Sequence, residues 1–205
     1  TMVINTNTAA LTSARNLGES TAALNKSLAR LSSGSKLVAP TDNAAGAAVA
    51  TRFDAQINRT QAASDNVGNA ISFNQTQDGL LKKVVKALDR MSELSVMALD
   101  VTKSDADRSL YNSEFQNLGA FVTNSATRDF NGVSLFGATA LNVTVTSEAA
   151  TTAMAAISLS TATYTSAIAT TISTTTAATA ALTAVKTAIT QIASDRATVG
   201  SNQVS

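Results

Sequence analysis

Apolar residues recur at alternating steps of four and three positions in several stretches of the chain. The strongest stretch covers residues 80–98, with apolar positions at Leu80, Val84, Ala87, Met91, Leu94 and Ala98. This spacing places a narrow seam along one side of a helix, and a neighbouring helix must cover it. Aromatic residues make up only 4% of the chain, which favours closely packed helices over a thick globule. The sequence therefore predicts a mainly α fold, an elongated antiparallel helical bundle with coiled-coil-like packing.

A second seam lies near the N-terminus and predicts a helix over residues 8–33. Its positions are Ala10, Ala14, Leu17, Thr21, Leu24, Leu28 and Leu31, and Gly34 is a natural C-terminal cap. The helix could fold back on the bundle as an ordinary amphipathic helix, or it could pair with a helix outside this chain. Ala and Thr fill nearly half of the seam, so the helix alone would be marginal in water, which favours pairing. We define Leu17, Leu24, Leu28 and Leu31 as the assembly seam.

Two long helices are predicted next. The first runs from Asn43 to about Val101, with a possible bend near Gly79. Its start follows Pro40, which leaves three candidate caps: Thr41, Asp42 and Asn43. The second helix covers residues 105–126, where Ser104 and Asp107 resemble a capping box with Asp in place of Glu. Because the turn between them is short, the two helices must lie antiparallel. The apolar face of the second comprises Tyr111, Phe115, Leu118, Val122 and Ser125, widened by Leu110 and Phe121.

A small β region should follow the second long helix. The dipeptide Asn131-Gly132 is the strongest hairpin signal in the chain. Apolar and polar residues then alternate in a strand pattern through Leu141, Val143 and Val145. A short strand that contains Ile157, Leu159 and Tyr164 could pair with it, within a segment of nearly uniform Thr, Ala and Ser. We expect residues 138–177 to form only a short variable tip, β or irregular in structure.

The last seam predicts a C-terminal helix. Its positions are Ala178, Leu182, Val185, Ile189, Ile192, Arg196 and Val199. The seam is still in phase at Ser205, so we expect that the chain is C-terminally truncated. Three parts are predicted: an N-terminal assembly segment over residues 1–41, a helical bundle with hairpin over residues 42–137 and 178–205, and the tip over residues 138–177.

The composition excludes most enzyme chemistry. The chain has no His and no Cys, so it lacks the commonest general base, the commonest metal ligand and the thiol nucleophile. Two carboxylate pairs remain, Asp105 with Asp107 and Asp89 with Glu93, and both fit a helix cap and a solvated face better than a metal or acid/base site. No glycine pattern for a dinucleotide or phosphate occurs. We therefore predict no enzyme activity, no catalytic or metal site and no cofactor.

Charge and hydropathy also limit the partners. The net charge of +1 provides no field to gather nucleic acid, and no run of about 18 apolar residues indicates membrane insertion. The N-terminus lacks the pattern of a cleaved signal peptide.

A local basic stripe is formed by Lys82, Lys83, Lys86 and Arg90. It could be a solvated flank supported by Asp89 and Glu93. It could instead be a binding edge for another subunit, or for an anionic ligand such as an acidic polysaccharide.

Four motifs occur in an order that resembles bacterial flagellin. They are VINTN, LSSGSKLVAPTDNAAGAAVATRF, LDRMSELSV and FNGV, and the resemblance covers residues 3–135 and returns over residues 182–204. It implies a secreted structural subunit that passes through the flagellar export channel, with an export chaperone as a possible partner. Such subunits self-assemble by helix packing into a filament that serves motility, with the paired chain ends forming an inner tube. The location implied is the bacterial flagellum or cell surface.

The resemblance also implies a contact surface. Leu88, Arg90, Leu94 and Glu114 match positions through which family members contact the flagellin-sensing Toll-like receptor, and the same face serves subunit packing. Asp89 and Met97 stand where receptor-binding members usually have Gln.

The family's distal C-terminal helix, the partner of the N-terminal seam, is missing beyond Ser205, so we expect this chain to stay monomeric while a longer parent polymerises. The alternative function is a flagellin-like cell-surface adhesin that holds an anionic polysaccharide.

Overall fold

The computed structural model describes residues 8–39, 41 and 43–204. The VINTN motif, the break at Pro40 and the Asp42 cap lie outside the described residues, as does Ser205. The chain divides into two compact units, Thr1–Asn58 and Arg59–Ser205, and each is described by itself.

The first unit contains helix α1 (Thr8–Ser33) and the start of helix α2 (Ala44–Ala98). α1 ends as predicted, because Gly34 adopts a left-handed φ of 66° that favours glycine. Asn43 acts as a cap for α2, since its Oδ1 accepts a hydrogen bond from the Gly46 amide at 2.9 Å. None of the described side chains of α1 is buried.

The second unit contains the rest of α2 and seven further elements. They are α3 (Asp105–Ala126), β1 (Asp129–Phe130), β2 (Val133–Ser134), β3 (Leu141–Thr144), β4 (Thr151–Met154), α4 (Ala162–Ile168) and α5 (Thr175–Val204). The fold is therefore mainly α with a small β region, as predicted. No helix among the described residues is long and apolar enough to cross a membrane.

Contacts between the long helices show their direction. α2 and α3 are joined by Arg90 with Glu114 and, farther along α2, by Ala98 with Arg108. α2 and α5 are joined by Asn74 with Asn202 and by Asp78 with Arg196. In both pairs the residue number rises in one helix as it falls in the other. Both pairs are antiparallel, which confirms the predicted bundle.

The buried face of α2 is wider than the predicted seam. Leu81 and Leu88 are fully buried beside the seam residues, whereas Leu80 is only partly buried. Because α2 packs against both α3 and α5, its covered face must be wider than a strip that faces one partner. The helix also continues without a break through Gly79. Gln77 and Leu81 are buried on either side of this glycine, and their packing offsets its cost of about 1 kcal/mol.

α3 has the predicted bounds and the predicted cap. The Ser104 side chain accepts from the Asp107 amide, and the Asp107 side chain accepts from the Ser104 amide. The expectation that Leu110 and Phe121 widen the apolar face is wrong, since both are exposed. At about 100° per residue, each lies more than 100° around the helix from the buried Phe115.

The predicted hairpin of the β region is confirmed, whereas the second predicted strand is placed differently. β1 and β2 form an antiparallel hairpin around Asn131 and Gly132, which have φ values of 52° and 80° as a tight primed turn requires. β3 pairs with β4 in the register Leu141 opposite Met154.

The proposed strand through Ile157, Leu159 and Tyr164 is wrong, because the partner strand lies earlier in the chain and Tyr164 belongs to α4. The position of β4 could not be predicted, because its residues belong to a segment of nearly uniform Thr and Ala and show no alternation of apolar and polar residues. The predicted tip also contributes to the core, through Met154, Ile157, Leu159, Tyr164, Ala167 and Ile172.

Candidate functional site

The assembly seam on α1 is an exposed apolar strip. The exposed fractions of Leu17, Leu24, Leu28 and Leu31 range from 52% to 82%. Hydroxyl groups on the same helix bond to backbone oxygens one turn earlier, as Thr21 does to Leu17. The strip therefore offers apolar area and little unsatisfied polarity, which suits packing against another apolar helix face.

An ion-pair cluster centred on Arg90 bridges α2 and α3. Its Nε lies 2.7 Å from Glu114 Oε1, and its Nη1 lies 2.9 Å from Glu93 Oε2. The hydrogen bond to Glu114 is the main cause of a raised Arg90 pKa, and the same bond lowers the pKa of Glu114. The cluster is half exposed, so it can present a charged, preorganised surface to a partner.

The other two residues of the predicted contact set, Leu88 and Leu94, do not lie at the surface. Leu88 and Leu94 are fully buried in the core of the second unit. In this conformation their side chains position α2 and offer no surface to a partner. The structure therefore brings Arg90 and Glu114 together at the surface but does not place the two leucines beside them. The contact role of all four residues stays a prediction.

The basic stripe is partly neutralised within the fold. Lys82 Nζ lies 2.8 Å from Asp78 Oδ2, and the second carboxylate oxygen of Asp78 accepts from Arg196 Nε at 2.9 Å. Partial burial alone would raise the pKa of Asp78, but the bonds from Lys82 and Arg196 outweigh it and lower the pKa. Lys83 and Lys86 are exposed and form no ion pair with any residue that the structure describes.

Arg108 is a site residue that the seam pattern missed. It is only 7% exposed, and it donates to two backbone oxygens at the end of α2, Ala98 O and Asp100 O, each at 2.8 Å. Its Nη1 also pairs with Asp105 at 2.9 Å. The guanidinium thus satisfies carbonyl groups that a helix end leaves without partners. It holds the turn between α2 and α3 in a defined shape.

The acidic residues near this turn have structural tasks. Asp105 pairs with Arg108, and Asp107 caps α3. Hydrogen bonds from the Ser104 side chain and backbone lower the pKa of Asp107, and those from the Thr102 backbone and side chain lower the pKa of Asp100. The described residues contain no group of three or more acidic side chains placed to hold a metal ion.

A second polar group that the sequence pattern missed joins α4 to α5. The Tyr164 hydroxyl donates to Asp195 Oδ2, and Gln191 Nε2 donates to Asp195 Oδ1 at 2.8 Å. Burial, together with this bond, raises the pKa of Tyr164. The tyrosine ring therefore lies in the core while its hydroxyl keeps a partner, and this fixes the short helix against α5.

Comparison with known proteins gives concordant matches. Residues 4–141 match the family model described as the bacterial flagellin N-terminal helical region. The chain is 43% identical over 117 residues to the flagellar filament 41 kDa core protein of Borreliella burgdorferi, a match covering 57% of this chain and 35% of that protein. It is 39% identical over 134 residues to phase 1 flagellin of Salmonella naestved, covering 65% of this chain and 26% of the relative. The chain therefore spans only about a third or less of these relatives.

The fold is also similar to that of a solved structure. The crystal structure of Bacillus cereus flagellin superposes with a TM-score of 0.61 at 25% identity, covering 67% of this chain and 81% of that one. The matched family is one of structural proteins and not of enzymes. Because the family model covers most of the chain, including α1, α2, α3 and the first hairpin, the chain belongs to the bacterial flagellin family.

Proposed function

We propose that this chain acts as a structural subunit of the bacterial flagellar filament and associates with other flagellin subunits by helix packing. The observation that carries the proposal is the exposed assembly seam on α1, a helix that buries none of its described side chains. Family membership and the name of the Borreliella relative, a flagellar filament core protein, support the same role.

The energetics of the assembly seam favour a partner helix. Burying the exposed area of its four leucines would contribute roughly 5 kcal/mol per helix. A helix of 26 residues with an unburied seam is marginal by itself, because most helical stability in proteins comes from packing of an apolar face. A helix from a neighbouring subunit supplies that packing. We propose that residues 1–41 serve as the assembly segment and the rest of the chain as bundle and tip.

The cellular path follows from the same proposal. The subunit leaves the cell through the flagellar export channel and resides in the flagellum at the cell surface. An export chaperone would cover the assembly seam before export, because an exposed leucine strip is prone to non-specific association. The half-exposed Arg90 cluster is the proposed contact surface for a second subunit or for the flagellin-sensing Toll-like receptor.

The adhesin alternative has weaker support. An anionic polysaccharide would need free cations along the basic stripe, but Lys82 and Arg90 already pair with carboxylates. Polysaccharide binding that weakens both with added salt and with Lys83→Glu and Lys86→Glu would favour this alternative.

Filament assembly tests the proposal directly. Leu24→Ala keeps a strong helix former but removes seam area, and Leu11→Ala is a matched control because Leu11 is 54% exposed against 60% for Leu24. Leu11 lies about 120° around the helix from Leu17, off the seam. When both changes are made in the filament-forming subunit that contains this chain, the protein concentration needed to pellet filaments should rise roughly tenfold for Leu24→Ala, equivalent to about 1.4 kcal/mol, and stay within about twofold for the control. Equal behaviour of the two variants, with equal helix content of the monomers, would exclude the seam as an assembly surface.

A further inference from the structure

A small polar cavity lies in the second unit where α2 meets α5 and the segment after β4. Its walls include Asn74 and Gln77 of α2, Thr139, Met154, and Asn202 of α5. Its volume is about 20 Å³. A single water molecule needs a cavity of roughly 10–15 Å³. The cavity is therefore large enough for one water and too small for an organic ligand.

Asn74 presents an unpaired acceptor inside this region. Its side chain is 1% exposed, and its Oδ1 is buried without a hydrogen bond from any residue that the structure describes. Its Nδ2 contacts Met154 Sδ at 3.3 Å and Asn202 O at 3.5 Å, the second of which is long for a bond to oxygen. Sulfur is a weak acceptor. Buried amide oxygens in native proteins almost always have a partner, because an unpaired one loses its hydration without compensation.

A rotation of the Asn74 amide does not provide a hydrogen-bond donor for its oxygen. A 180° flip would exchange oxygen and nitrogen and bring Oδ1 towards the Asn202 carbonyl oxygen, so that two acceptors would face each other. The side-chain amide of Asn202 cannot rotate to donate to Asn74, because both of its polar atoms already have partners. Its Oδ1 accepts from the Ala155 amide at 3.0 Å, and its Nδ2 donates to Ala155 O at 3.1 Å. The missing donor for Asn74 must therefore come from a molecule other than these neighbours.

We infer that the cavity is a binding site for one ordered water molecule, which donates a hydrogen bond to Asn74 Oδ1. Gln77, Ser134 and Thr139 also line the cavity, and polar residues of this kind can supply the further partners that a buried water requires. The water completes a polar junction in which Asn74, Asn202 and Ala155 join α2, α5 and the end of β4. The water thereby satisfies the buried amide oxygen of Asn74 at this junction.

A crystal structure of the protein at about 1.5 Å resolution tests the inference. We expect a spherical density peak about 2.6–3.2 Å from Asn74 Oδ1. The peak should disappear in Asn74→Leu and persist in Asn58→Leu, a matched change at an exposed asparagine of the same helix. Absence of the peak in the unaltered protein, or a protein donor bonded to Asn74 Oδ1, would overturn the inference. The density of the unaltered protein decides the question even if Asn74→Leu does not fold.

Magnetic relaxation dispersion of water provides a check in solution. The unaltered protein and Asn58→Leu should each hold one more long-lived water molecule than Asn74→Leu. Equal numbers in all three proteins would contradict a water bound at Asn74.

Discussion

Replacing Arg108 with methionine should lower the free energy of unfolding by about 3 kcal/mol. The guanidinium bonds to two backbone oxygens, Ala98 O in a buried bond and Asp100 O in a partly buried one, and hydrogen bonds of this charged kind contribute about 1.5 kcal/mol each. The pair with Asp105 adds little, because the Asp105 side chain is 82% exposed. Methionine keeps most of the apolar stem, so the loss is chiefly that of the bonds at the end of α2.

Urea and thermal unfolding, followed by circular dichroism at about 222 nm, measure this loss. A change of 3 kcal/mol should lower the melting temperature by roughly 6–12 °C in a unit of this size. Arg108→Lys keeps the charge but reaches fewer oxygens, so its loss should be about half as large. Arg128→Met is the matched control at an exposed arginine and should stay within about 0.5 kcal/mol. If Arg108→Met is as stable as this control, the guanidinium does not hold the turn and the reasoning fails.

Three further predictions concern the second unit. A double-mutant cycle with Asp78→Asn and Arg196→Gln should give a coupling energy of about 1 kcal/mol, and a coupling near zero would show that the pair does not link α2 and α5. The lowered pKa values of Asp78 and Asp107 mean that their stabilisation is present above the ordinary pKa of 3.8 and is lost as the pH falls through the lower folded values. The free energy of unfolding, measured against pH, should thus stay level above about pH 5 and fall below it, with a shallower fall in Asp78→Asn. Gly132→Ala should cost about 1 kcal/mol in chemical denaturation because φ there is 80°, whereas Gly137→Ala should cost nothing; equal costs would contradict the turn argument.

Local signals in the sequence predicted several elements with accuracy. α3 begins as expected, because Ser104 and Asp107 cap its N-terminus through bonds between close neighbours in the chain. The first hairpin is equally predictable from the sequence, since Asn131 and Gly132 tolerate the positive φ values of a primed turn. Each of these features depends on a few adjacent residues, so sequence alone contains the necessary information.

Features that depend on distant residues could not be read from the sequence. Tyr164 lies in a Thr- and Ala-rich segment without periodicity, and only the core packing and the contact with Asp195 define its helix. Arg108 bonds to backbone oxygens, which have no sequence signature. The resemblance to flagellins places Leu88 on a contact surface, but the burial of its side chain depends on how α2 packs against two other helices.

Hydrogen–deuterium exchange of α1, before and after assembly, is the most direct test of the filament proposal. In the monomer the α1 amides should exchange fast, since none of the described side chains of this helix is buried. In filaments from cells that make this protein as their flagellin, exchange around Leu17, Leu24 and Leu28 should slow roughly a hundredfold or more, equivalent to about 2.8 kcal/mol. Unchanged fast exchange of α1 in intact filaments would contradict the claim that its leucine seam is the assembly surface.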